Sequence, residues 1–113
     1  MIHFDFENVN RHLDGDKQLI QTFLSLVISE LPKYNQELDK YLLEENLSQI
    51  KQMGHKLKGT CLSAGLSELT QIAIEINHLT EFNATIIKEL LSRTKNEIDT
   101  VLPLLQNKRD ELI

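Results

Sequence analysis

Apolar residues return every three or four positions over most of this chain. Ile20, Phe23, Val27, Leu31, Tyr34, Leu38 and Leu42 form the clearest series. A strand would alternate with a period of two, whereas an α-helix advances about 100° per residue. Only a helix puts these seven residues on one stripe. The series therefore predicts a long helix from about Asp16 to Glu44. Pro32 falls inside it, lacks a backbone donor, and predicts a kink or short break there.

The same period predicts the remaining elements. A short helix is expected from Asp5 to about His12, followed by the turn Asp14-Gly15-Asp16, which supplies an N-cap. Asn46, with Gln49 three residues later, resembles a capping box. It opens a helix from Leu47 to about Leu62, with Leu47, Ile50, Gly54, Leu57 and Cys61 as its buried stripe. Ser63-Ala64-Gly65 reads as the break after it. Leu66, Leu69, Ile72, Ala73, Ile76 and Leu79 outline a further helix ending near Glu81. Asn83 caps the last helix, whose apolar side begins Ile87, Leu90, Leu91 and continues to Leu105, with Pro103 leaving its final turn open. Such short connections place successive helices antiparallel. The expectation is an all-α, antiparallel up-down four-helix bundle with a short N-terminal helix, one domain over residues 1–113. Phe4, Val9 and Leu13 are expected to pack the leading helix across it.

Composition narrows the function. A net charge of −5 argues against nucleic-acid binding, which needs a basic face. The lone Cys61 cannot form an internal disulfide and has a ready role as a small buried side chain, so no redox work is assigned to it. The N-terminal stretch has acids and no long apolar core, unlike a signal peptide. No apolar run approaches the roughly 20 residues of a membrane span. A soluble, cytoplasmic monomer is the expectation.

The chemically suggestive run is His55 to Gly65, H-K-L-K-G-T-C-L-S-A-G. His55 lies about 100° from Gly54, at the edge of the buried stripe. Lys51 is one turn before it, Lys58 and Gly59 one turn after, and Leu62 one turn further. Lys51, Lys56 and Lys58 concentrate positive charge in an acidic chain, with Lys56 expected to point away. A neutral imidazole is a good nucleophile near pH 7, given histidine's reference pKa of about 6.5. Phosphoryl transfer asks mainly for in-line positioning and charge stabilisation, and a lysine supplies the latter as a point charge. Gly59 costs a helix about 1 kcal/mol relative to alanine. It fits a site that another protein must approach, and equally fits close packing between helices. Likewise, His55 fits a plain surface histidine and Lys58 a solvated helix lysine.

These residues resemble the signature of the histidine-containing phosphotransfer (HPt) family, H-x-L-K-G with a further glycine six residues after the first. His55, Leu57, Lys58, Gly59 and Gly65 all match, and F-L-S-L-V-I-S-E-L-P resembles the family's second helix, proline included. The resemblance implies a helical bundle relaying phosphoryl groups between aspartates of response-regulator receiver domains. By that likeness His55 takes the phosphoryl group at Nε2, Lys58 favours the phosphorylated state, Gly59 admits the receiver with Lys51 and Leu62 beside it, and Gly65 shapes the corner. Several members carry a glutamine on the following helix; the comparable stretch here holds Asn77, a shorter side chain. A hybrid histidine kinase joins the receivers as an implied partner, and Mg2+ would belong to the receiver, leaving this chain without a cofactor.

No Walker-type phosphate loop is present, so phosphorylation from ATP is not expected. A kinase dimerisation domain would carry an acid directly after the histidine, where Lys56 stands. Two other readings remain. Glu75-Ile76-Asn77-His78 is a Glu-x-x-His motif of the kind used in di-iron bundles, although those need two copies and further glutamates. The same bundle would also serve as a helical adaptor without phosphoryl chemistry.

Overall fold

The computed structural model describes residues 2–112. Five helices follow one another: α1 Phe6–His12, α2 Lys17–Leu43, α3 Leu47–Ala64, α4 Ser67–Asn77 and α5 Ala84–Glu111. Among the described residues there is no strand. α2 packs on α3 and α5, and α4 packs on the same two helices. That closes a ring of four helices around one core, with α1 lying on α3. Short turns join the four, so the bundle runs up and down as predicted. α5 has 28 residues, which at 1.5 Å each gives roughly 42 Å. This matches the 43 Å long axis of the molecule, so α5 runs its full length.

Side chains start three of the helices. The carboxylate of Asp16 accepts from the Leu19 amide at 3.1 Å, and the Asn83 carbonyl from the Ile86 amide at 3.1 Å. Asn46 accepts from the Gln49 amide at 3.2 Å. The expected box at Asn46 is only half built, because its own amide donates instead to the Tyr41 carbonyl at 2.9 Å. Each such cap contributes about 1 kcal/mol.

Prolines do not break the helices that contain them. α2 continues through Pro32 and α5 through Pro103. Both prolines are exposed, so water can serve the carbonyl that lost its donor. α3 runs two residues past its predicted end. Gly65 closes it in the left-handed region at φ 69°, while Leu66 donates to the Cys61 carbonyl at 2.9 Å and Gly65 to that of Leu62 at 3.3 Å. This pair of bonds is a Schellman closure. α4 ends earlier than expected, at Asn77. Leu79 and Phe82, beyond that end, are partly buried against the core.

Leu24, Leu31 and Leu38 of α2 meet Ile50 and Leu57 of α3, Leu69 and Ile76 of α4, and Ile87, Ile98 and Leu105 of α5 in the interior. Each fully buried leucine or isoleucine contributes roughly 1.5–3 kcal/mol. The buried stripe of α3 is wider than predicted, since Met53 and Ala64 join it while Leu47 is only half-buried. A helix held between α2 and α4 must bury two flanks. Val9 anchors α1 fully; Phe4 and Leu13 pack partly against the core.

At Gly54, α3 and α4 approach each other closely. A Cβ there would lie 2.7 Å from the Asn77 amide nitrogen and 3.0 Å from the Ala73 carbonyl oxygen. Those are backbone atoms, which cannot swing aside. The glycine next to the histidine in sequence thus sets the depth of the α3–α4 contact.

Candidate functional site

Because Gly54 faces α4, His55 is turned to the rim of that contact and is exposed. Helix side chains lean towards the N-terminus of their helix, over the preceding turn. His55 accordingly lines a shallow depression together with Leu47, Ser48, Lys51 and Gln52 of the preceding turns and Asn77 of α4. No carboxylate lines it. Lys58, on the next turn, is half-buried and does not line this depression.

The opposite, C-terminal side of the histidine is bare. Gly59 is exposed, and a Cβ built there would meet nothing within 4 Å. Helix packing, one of the two explanations open at the sequence level, therefore does not account for this glycine. Leu62, one turn on, is 55% exposed. Its carbonyl accepts from the Asn8 amide at 2.9 Å, which fixes α1 alongside this end of α3. At Gly65 a Cβ would run into the carbonyl of Asp5, and the Asp5 amide donates to the Gly65 carbonyl at 2.7 Å. The corner thus takes glycine twice over, for its φ and for the chain crossing it.

Charge on this face is unbalanced. Lys51 and Lys58 are half-buried, and among the described residues neither has a carboxylate within 4.0 Å. Lys56 lies apart, in a groove between α2 and α3 lined also by Glu30, Lys33 and Glu37.

Asn77 does reach α3, though for a different purpose. Its Nδ2 donates to the Lys51 carbonyl at 3.0 Å, tying the end of α4 to the turn beneath the histidine. Glu75 is drawn to α5, where Arg93 holds it at 3.0 Å and has its own pKa raised, chiefly by that hydrogen bond. His78 is the exposed residue that ends α4. The Glu-x-x-His pair is thus divided between an interhelical ion pair and a helix end.

Burial pushes the Cys61 thiol up to about 12, so it stays protonated inside the core. Sequence reasoning missed three residues around the site. Gln52 gave no sign beyond its spacing from His55. Asn8 gave none, because its contact spans 54 positions. The sequence puts Gly54 in the stripe, but its close contact with the α4 backbone depends on where α4 lies.

A closed four-helix bundle with an exposed histidine, free lysines and a bare glycine on one helix defines a class. The sequence model of the Hpt domain matches residues 22–107, and the chain belongs to that family. Among characterised proteins, the phosphorelay intermediate protein YPD1 of Candida albicans is 35% identical over 54 residues, 48% of this chain. The matched stretch covers 27% of that protein's length. No solved structure matches the chain.

Proposed function

We propose that this protein is a phosphoryl carrier of a multistep phosphorelay, with His55 as the acceptor. The observation that carries this reading is the side-by-side placement, on α3, of an exposed imidazole, cations without carboxylate partners and a glycine that the fold itself does not use. Family membership and the likeness to a phosphorelay intermediate support the same reading.

In the proposed step, Nε2 of a neutral His55 attacks the phosphorus of an aspartyl phosphate in line. The P–N bond forms as the P–O bond to the aspartate breaks, and the carboxylate leaves with the electron pair. The proton on the other ring nitrogen stays in place, so no base is required. Lys58 stands over the transferred oxygens and offsets their charge. The reverse sequence delivers the group to a second aspartate.

The partners in this reading are receiver domains, which bring the reactive aspartate and its Mg2+, and a hybrid histidine kinase upstream. The carrier acts as a cytoplasmic, monomeric single-domain module. Among the described residues no helix is long and apolar enough to cross a membrane. Incubation with a phosphorylated receiver tests the proposal. Acid-labile label should appear in the wild type and be absent from His55→Gln, while Lys58→Ala should transfer more slowly with its fold intact. Binding of the receiver without label transfer would instead identify an adaptor.

A further inference from the structure

Lys51 stands in the depression beside His55, and the transfer step above gives it no part. Its backbone is fixed, since the Asn77 amide holds its carbonyl at 3.0 Å. Its side chain lines the depression together with His55. The imidazole leans over the turn that carries Lys51, so a group on its outer nitrogen would sit above that turn rather than above Gly59. The depression contains no acid, and Lys51 has no carboxylate within 4.0 Å among the described residues. In a chain of net charge −5, an unneutralised lysine here makes a local positive field.

A transferred phosphoryl group presents three strong acceptor oxygens and close to two negative charges. Lys58 lies one turn C-terminal to His55 and does not line the depression, so the oxygens over the N-terminal turn call for another donor. We propose that Lys51 is a second cation for the phosphoryl group on His55, holding it from the N-terminal side while Lys58 holds it from the other. Gln52, in the same depression, adds a neutral amide donor. The inference rests on His55 being the acceptor, and it gives Lys51 a role in holding the phosphoryl group that does not depend on a docked receiver.

Phosphoramidate separates those two roles, because it phosphorylates histidine with no receiver present. The imidazole nitrogen attacks its phosphorus and ammonia leaves. The full chain is phosphorylated this way, His55→Gln serving as the blank. The 31P resonance is then followed with pH to find where the phosphoryl group loses its last proton and becomes the dianion. A nearby cation favours the dianion, so Lys51→Gln should raise that midpoint by about 0.5 in pH, roughly threefold in proton affinity. Lys51→Arg should restore it. The difference should close at about 1 M salt, where the Debye length is about 3 Å. The Asn77 bond goes to the main chain, so both variants keep it. Equal midpoints in all three proteins would overturn the assignment of Lys51 and leave His55 as acceptor. Failure to label His55 in the wild type would overturn the acceptor reading, and this one with it.

Discussion

Replacing Gly59 by alanine should stabilise the protein and impair its function. A Cβ at this position meets nothing within 4 Å, so the added methyl causes no clash. The residue lies in the interior of α3, six positions after Met53 and five before Ala64. Glycine in such a place costs about 0.8–1.0 kcal/mol relative to alanine. Nothing in the fold offsets that cost, so Gly59→Ala should gain nearly all of it. For a chain of this size the thermal midpoint should rise by about 4 °C. Urea unfolding should show a higher midpoint at an unchanged slope, as expected when the compactness of neither state changes. Phosphoryl transfer from a receiver should slow with alanine and fall further with Gly59→Gln, whose longer side chain occupies the notch. Labelling by phosphoramidate should not change, since a small donor needs no notch. Two results would refute the reasoning. If Gly59→Ala lowered stability, the surroundings of Gly59 would not be open. If Gly59→Gln received the phosphoryl group from a receiver at the wild-type rate, a partner's approach could not be the reason for a glycine here.

The neighbouring glycine should respond in the opposite sense: Gly54→Ala forces a methyl against the Asn77 nitrogen and the Ala73 carbonyl, and should lower stability by about 1–3 kcal/mol in urea unfolding. Cys61 should resist alkylation in the folded protein and react readily once urea exposes it. Its thiol, raised from 9.0 to about 12 by burial, also gives an alkaline prediction. Below pH 9.0 both states keep the proton and the contribution is complete; between 9.0 and about 12 the unfolded thiol ionises first, so stability falls as pH rises. Cys61→Ala should remove that part of the alkaline decline, measured as urea midpoints against pH.

What could be read from the sequence follows from which forces are local. Helix periodicity, the caps at Asp16, Asn46 and Asn83, and the corner at Gly65 depend on residues within a turn or two of one another, and all are found where they were expected. The end of α3 is local as well: the helix continues to Ala64 because Gly65 and Leu66 satisfy the carbonyls of Leu62 and Cys61. The end of α4 at Asn77, with Leu79 and Phe82 partly buried against the core beyond it, carries no such local signal. Of the kink or short break that Pro32 suggests, no break occurs: a proline on a wet helix face leaves a carbonyl that water can serve, and α2 continues through it. At the site, the shared face of His55, Lys58 and Gly59 was legible from helix geometry alone. The hydrogen bond from Asn77 to the Lys51 carbonyl was not, since it joins residues 26 positions apart through a main-chain atom that carries no sequence identity.

Gly54 and Gly59 flank His55 and answer two different requirements. A phosphoryl carrier must hold its imidazole steady while offering it to partners that arrive from solvent. Steadiness calls for a well-packed helix; access calls for one that leaves space above the ring. Gly54 serves the first by letting α3 sink onto α4, where Asn77 clamps the turn beneath the histidine. In the proposed reading Gly59 would serve the second, since it leaves open space where any other residue would carry a side chain. If both glycines answered packing, alanine at either place would destabilise the bundle. The geometry requires instead that the two substitutions differ in sign, and this difference separates a helix that merely contains a histidine from one that presents it.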